Sequence, residues 1–209
     1  MTGAGRAAVL GAGGHGKVVI ATLQAAGWWV AAAYDDAEER WGGELLGVPI
    51  RGPLDAAAAS EVDGAVVAVG DNRARKSLAE RFDLPWIAVV HPAAVVHPSV
   101  ELGAGTVVFA GAAIQPDTRI GRHAIVNTGA SVDHDCRLGD FVHVAPGARL
   151  AGGVTLEEGA FLGIGSAAVP GLTVGAWATV GAGSAAIRPV PAGATVVGVP
   201  ARVVRRRAP

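Results

Sequence analysis

VVHPAA-VVHPSV-ELGAGT-VVFAGA-AIQPDT-RIGRHA, residues 89–124, opens a run of six-residue units that continues without a break to Val190. The rest reads IVNTGA, SVDHDC, RLGDFV, HVAPGA, RLAGGV, TLEEGA, FLGIGS, AAVPGL, TVGAWA, TVGAGS, AAIRPV, seventeen units in all. The second residue of every unit is aliphatic, from Val90 and Val96 to Val180 and Ala186, and the sixth is mostly Ala, Ser, Thr, Cys or Val. A helix would space its apolar residues by 3.6 and a lone half-buried strand by two, so neither accounts for a period of six. One short strand plus one corner does. Three such units close a triangular coil of eighteen residues, with aliphatic side chains stacked inside it from coil to coil. Seventeen units make nearly six coils.

The chain as a whole is bland in charge: 17 Lys and Arg against 18 Asp and Glu, a net charge of −1. That balance gives no electrostatic case for nucleic acid or an anionic membrane. Half the residues are hydrophobic, yet only 5% are aromatic and 31 are Gly, the composition of a thin repetitive core. A single cysteine excludes an internal disulfide framework and leans towards a reducing compartment. The start, MTGAGRAAVLGAGG, lacks the pattern of a signal peptide, and no apolar run is long enough for a bilayer, so a cytoplasmic protein is expected.

Before the repeats, residues 1–86 read as a separate domain. An apolar strand at residues 7–10 runs into Gly11-Ala12-Gly13-Gly14-His15-Gly16, then a helix from Lys17 to Ala26 and a strand from Trp28 to Tyr34 that ends at Asp35-Asp36. This is G-x-G-x-x-G between strand and helix, with acidic residues about twenty positions on. Beyond it come a small strand at Val48–Ile50, an Ala-rich helix at Pro53–Ser60, and a strand at Ala65–Val69. An Asp71-capped helix to about Phe82 and a strand at Leu84–Val89 complete the domain. The whole is a Rossmann-like βαβαβ half-domain, too small for a dinucleotide. Its glycine turn leaves two readings open: a cradle for a phosphate-bearing ligand, or simple packing of strand on helix.

The repeat phase sorts the polar residues. Cys136 holds a sixth position and is expected inside, as a corner residue. His134 holds a fourth position, pointing outward between Asp133 and Asp135, where a carboxylate can orient an imidazole and favour its protonated form. His143 holds a first position on a different face, so the two histidines converge more naturally if they come from adjacent protomers. The outward histidines His123, His134 and His143 lack the arrangement of a three-histidine zinc site, and no metal is expected.

VLGAGGHGKVV, then YDD, then a single domain feeding hexapeptide repeats, resembles the sugar O- and N-acyltransferases of the sialic-acid and bacillosamine type. The resemblance covers essentially the whole chain. It implies an all-β left-handed parallel β-helix over residues 87–190 and a closing turn and basic tail over 191–209. It also implies acetyl-coenzyme A as co-substrate and homotrimers with active sites at subunit interfaces. Gly13, Gly14, His15, Asp35 and Asp36 would contact a nucleotide-sugar. In Val132-Asp133-His134-Asp135-Cys136, His134 would be the general base and Asp135 its support, with Asp where relatives often have Glu, one methylene longer. His143 would contact acetyl-coenzyme A, the Gly152 backbone N–H would face the oxyanion, and Ile164 and Ala182 would lie along the pantetheine arm. Asn127 would position the sugar amine or serve the fold. The arginines of the end, Arg202 to Arg207, would meet coenzyme phosphates or stay solvated.

The activity the resemblance implies is N-acetylation of the 4-amino group of a UDP- or GDP-linked amino-dideoxy sugar for surface glycan synthesis. O-acetylation of a sugar or sialic acid on the same fold remains open, and so does a non-catalytic nucleotide-sugar-binding solenoid.

Overall fold

The computed structural model describes residues 5–206; Arg207, part of the basic end, lies outside them. The chain divides into two compact units, Met1–Pro92 and Ala93–Pro209.

The first unit runs β1 (Arg6–Leu10), α1 (Gly14–Ala25), β2 (Trp29–Tyr34), β3 (Glu44–Leu45), β4 (Val48–Arg51), β5 (Gly64–Val67) and α2 (Asn72–Arg81). Its sheet has the order β3-β4-β2-β1-β5. β1 pairs in parallel with both β2 and β5, so the chain turns one way after β1 and the other way to reach β5. Ligands of open α/β sheets bind at such a switch point, beyond the carboxyl ends of the strands. Residues 7–10 of β1 are at most 1% exposed, covered on both faces. On one face Leu10, Tyr34, Leu54 and Phe82 share a core.

Three local details differ from the sequence expectation. α1 begins at Gly14 rather than Lys17, because Gly13 takes the cap position and the glycines that read as loop already belong to the first turn. The Ala-rich stretch is a 3-10 helix, Leu54–Ala59, too short between Pro53 and Ser60 to settle into α geometry. The strand expected at Leu84–Val89 is reduced to one bridge, Ala65 to Trp86, and the pair Val89–Val90. Pro85 has no N–H to extend a ladder there.

In the second unit two-residue strands recur every six residues and pair in parallel with the strand eighteen residues away. Ile114, Val132, Leu150 and Ala168 stack on one face, Ile120, Leu138, Leu156 and Val174 on the next, and Val126, Val144, Leu162 and Val180 on the third. From Val108 to Ala186 no second-position residue is more than 4% exposed. Together the units form a Rossmann-like half-domain followed by a parallel β-helix of the left-handed hexapeptide type.

Two rows of the repeat explain the corners. Every fifth-position residue from Gly105 to Gly183 has φ between 51° and 75°, the left-handed region that most side chains resist. Four of the exceptions to glycine in that row are Asp135, His123, Phe141 and Trp177. The His123 and Phe141 rings stack with centroids 5.4 Å apart. Inside, the sixth-position hydroxyls and thiol tie one coil to the next: Thr106 donates to the Gly121 carbonyl at 2.7 Å, Thr118 to Asp133 at 2.9 Å, and Cys136 to Ala151 at 3.3 Å. These three side chains are thereby satisfied, whereas Ser166 Oγ, buried in the same row, has no hydrogen-bond partner among the described residues.

The solenoid ends in a reversal. Ala194–Gly198 joins the third face in parallel, and Ala201–Arg206 turns back on it antiparallel.

Candidate functional site

At the switch point of the first unit the glycines divide into two kinds. Gly11, at φ 112°, has no room for a Cβ, which would stand 2.9 Å from the Ala68 carbonyl oxygen; a Cβ on Gly16 would stand 2.5 Å from that of Gly11. Those two are needed for strand and helix to meet. A Cβ on Gly14 would meet nothing within 4 Å, and one on Gly13 would meet Arg40 Nη1 at 3.8 Å; neither has a positive φ. Their bareness serves no contact inside the chain, and it leaves backbone open to a ligand. α1 starts there with no capping side chain and no acid in its first turn, so its end carries the positive half of the helix dipole.

Asp35 works beneath this turn. Its carboxylate accepts from Ala12 N–H at 2.7 Å, from Ala37 N–H at 3.0 Å and from Arg40 Nη1 at 2.8 Å. Burial pushes its pKa up, but those three donors outweigh it and hold the group below the ordinary carboxylate value. Asp36 accepts from Leu54 N–H at 2.9 Å, anchoring the 3-10 helix. Both acids expected at a ligand thus also hold loops in place.

Arg75 is the residue the sequence did not mark. It is 1% exposed, donates to the Val69 and Gly70 carbonyls at 3.0 and 3.2 Å and to Asn72 Oδ1 at 2.8 Å, and so fixes the backbone that follows β5. Burial lowers its pKa to about 10, against the opposing charge of Asp71. A charged residue three positions after Asn72 carries no signal of burial in a single sequence. Burial, with the Arg75 charge second, brings His15 down to about 4. His15 is therefore neutral in the fold at physiological pH, whereas in the unfolded chain it gains a proton below about 6.5. The unfolded state binds more protons between those values, so stability falls as pH drops from about 6.5 towards 4, by on the order of 3 kcal/mol from this group. Urea denaturation across that range should show a steeper acid loss in the wild type than in His15→Gln. Equal slopes would mean that His15 is not buried neutral.

In the second unit His134 sits at the corner between the first and second faces. Thr118 holds the Asp133 carbonyl, Gly153 N–H donates to the His134 carbonyl at 2.9 Å, and Asp135 N–H donates to the Pro116 carbonyl at 3.1 Å. The peptide is thus pinned from the coils on both sides. Asp135 Oδ2 lies 2.7 Å from His134 Nδ1, so the shorter acid reaches the ring directly. That hydrogen bond, opposed by desolvation and helped by the charges of Asp133 and Asp135, raises the His134 pKa above its ordinary value. With Nδ1–H donated to Asp135, Nε2 is the nitrogen left to accept a proton. Cys136 beside it is buried, and burial raises its thiol pKa, which suits a structural residue.

Asn127, His143, Ile164 and Ala182 fall elsewhere. His143 is on the third face and Asn127 Nδ2 lies 3.1 Å from its Nε2. The ring of His143 also meets Phe161 edge-on, with centroids 5.2 Å apart. Ile164, 62% exposed, and Ala182 follow at the corner between the third and first faces, eighteen residues apart and hence on successive coils. Within one chain, then, the solenoid residues form two rows on two edges: His134 with Gly152, and Asn127 with His143, Ile164 and Ala182. Arg202 and Arg205 stand exposed on the reversed terminal strand. Among the described residues no group of three or more His, Cys, Asp and Glu is arranged to hold a metal ion, and no helix is long and apolar enough to cross a membrane.

A family model described as the PglD N-terminal domain matches residues 6–82. UDP-N-acetylbacillosamine N-acetyltransferase of Bacillus subtilis (strain 168) is 42% identical over 109 residues, 49% of this chain and 50% of that protein, so the match spans half of that relative. PerB from Caulobacter crescentus, solved in complex with CoA and GDP-perosamine, superposes with a TM-score of 0.88 at 44% identity, over 96% of this chain and 97% of its own. The acetyltransferase domain of PglB from Neisseria gonorrhoeae FA1090, solved with acetyl coenzyme A, gives a TM-score of 0.87 at 39% identity over 95% and 98%.

Proposed function

The chain belongs to the sialic-acid and bacillosamine type of sugar O- and N-acyltransferases, and from that premise we propose that it is an acetyl-coenzyme A-dependent N-acetyltransferase. Its acceptor is the 4-amino group of a UDP- or GDP-linked amino-dideoxy sugar, in surface glycan biosynthesis. The observation that carries this reading is the 2.7 Å bond from His134 Nδ1 to Asp135, which leaves Nε2 to act as base. The bare turn at Gly13 and Gly14, with His15 neutral beside it, suits the nucleotide-sugar. CoA and GDP-perosamine bound to PerB support both ligand classes.

The chemistry is direct transfer. The sugar nitrogen attacks the thioester carbonyl carbon while His134 Nε2 takes the amine proton, and the oxyanion is met by backbone N–H, with Gly152 the assigned donor. The intermediate then expels the coenzyme thiolate, which recovers the proton from the imidazolium. The C–N bond forms, the C–S bond breaks, and no acyl-enzyme is involved. His143, Ile164 and Ala182 line the coenzyme, and Asn127 orients His143 and the amine. Because the two rows lie on different edges of one chain, a complete site takes one row from each of two protomers. That geometry supports a homotrimer. The charge balance and the lone buried cysteine suit the cytoplasm.

The test is a thiol-release assay with acetyl-coenzyme A and a panel of UDP- and GDP-linked 4-amino-4,6-dideoxy sugars, with sialic acid and hydroxyl sugars alongside. Turnover confined to one amine establishes the reading. Turnover on hydroxyl acceptors alone replaces it with O-acetylation, and no turnover despite ligand binding leaves a binding solenoid. In the same assay the rate should fall as pH drops through the raised His134 pKa, since only the neutral ring accepts a proton. Asp135→Asn removes the main cause of that rise, so the acid limb should move to lower pH and the plateau fall roughly tenfold or more. An unmoved limb would deny Asp135 its role.

A further inference from the structure

The fourth residues of successive coils at the His134 corner form a column: Pro98, Pro116, His134, Gly152, Pro170 and Arg188. The corner accepts proline and arginine at that place, and the φ of Gly152 lies outside the left-handed region. Backbone conformation therefore gives no reason for a glycine there. The ring of His134 does. A Cβ built on Gly152 would stand 2.6 Å from both Cε1 and Nε2 of His134, closer than real Cβ atoms approach, and a tight 3.2 Å from Nδ1. The imidazole lies along the solenoid axis over the bare Cα of the next coil, while Asp135 grips its Nδ1. Two other rings use the same device. A Cβ on Gly105 would come within 2.2 Å of His123, and one on Gly159 within 2.4 Å of Trp177. Those two glycines also occupy left-handed corners, so space and conformation both call for them. At Gly152 space alone does.

We propose that Gly152 is a positioning residue: the space left by its missing side chain is the seat that holds the Nε2 edge of His134 in line for proton transfer. This rests on His134 being the base, and it is separate from any donation by the Gly152 N–H, which an alanine would keep. A ring displaced by a methyl group would lose its alignment and its hold on Asp135; misplacement of about 1 Å can cost about 100-fold in rate.

The experiment is a mutant cycle read in two ways. By kinetics, Gly152→Ala should lower kcat about 100-fold with a much smaller change in KM, and added to His134→Ala it should cost nothing more. Pro170→Ala, in the same column, should leave kcat unchanged. By NMR, the His134 ring, acted on by Asp133 and Asp135, should titrate at lower pH in Gly152→Ala than in the wild type. A further drop in the double variant would show that Gly152 acts through its backbone or the fold, and an unmoved ring titration would overturn the seat outright. Should His134→Ala keep full activity, the base assignment fails, and the titration still decides whether Gly152 seats the ring.

Discussion

His134→Ala is expected to lower kcat by about 10²- to 10⁴-fold, the usual worth of a positioned general base. The ring is 61% exposed at its side chain, and the peptide that carries it is held by backbone hydrogen bonds to the neighbouring coils rather than by the imidazole. Nothing in the core leans on it. The variant should therefore fold with an unchanged Tm and still bind both ligands, with the loss confined to kcat. A sugar amine that is already mostly neutral at high pH has less need of a base, so the deficit should shrink as pH rises. Steady-state kinetics at several pH values, with acetyl-coenzyme A saturating, would check this. A loss carried mainly by KM would recast His134 as a binding residue, and retained kcat would remove it from the chemistry.

Leu156→Ala should cost about 2–5 kcal/mol, the range for emptying a buried leucine site. Leu156 is 1% exposed and stands between Leu138 and Val174, each held in register by parallel pairing. Neither neighbour can slide into the gap without breaking its own rung, so the cavity stays open. In a solenoid each coil is stabilised chiefly by the coils it touches, and weakening a middle one loosens both sides at once. Thermal melting should show a fall in Tm of roughly 5–15 °C for a chain of this size. Arg137→Ala, on the exposed side of the same face, should change stability by less than about 0.5 kcal/mol. Equal effects from the two would mean that the second-position column is not the core.

Residues 89–190 told most of the fold because one physical demand, a large aliphatic inward and a small residue at the corner, is repeated until it stands out. The left-handed fifth position was half visible, as glycine. Its non-glycine members, Asp135 among them, look irregular in the sequence and fall into line only when their φ values are seen. The His134 site was legible for a similar reason, since phase alone sends a fourth-position side chain outward between two carboxylates. The reach of Asp135 was not, because a methylene's difference is settled by χ angles that no pattern reports. In the first unit the limits were sharper. Asp35 and Asp36 stood out as acids at a strand end, yet their ties to Ala12, Arg40 and Leu54 depend on loops from before and after them that only the fold brings together. Arg75 was unreadable, since burying an arginine runs against every composition rule and is paid for by three local acceptors that only the fold brings near.

The reversed strand at the end of the solenoid has a consequence for life in a crowded cell. A stack of parallel rungs shows the same unpaired edge wherever it is cut, and a chain that simply stopped would offer that edge as a template. The first rung of another molecule could add to it, then another, and the result would be a growing fibre. Ala201–Arg206 runs the wrong way for such copying, its pairing slips at Thr195/Val196, and it turns Arg202 and Arg205 outward. A parallel rung approaching it meets mismatched hydrogen bonds and two solvated charges that would have to be covered. On the third face the last strand thus blocks the extension that a parallel end would invite.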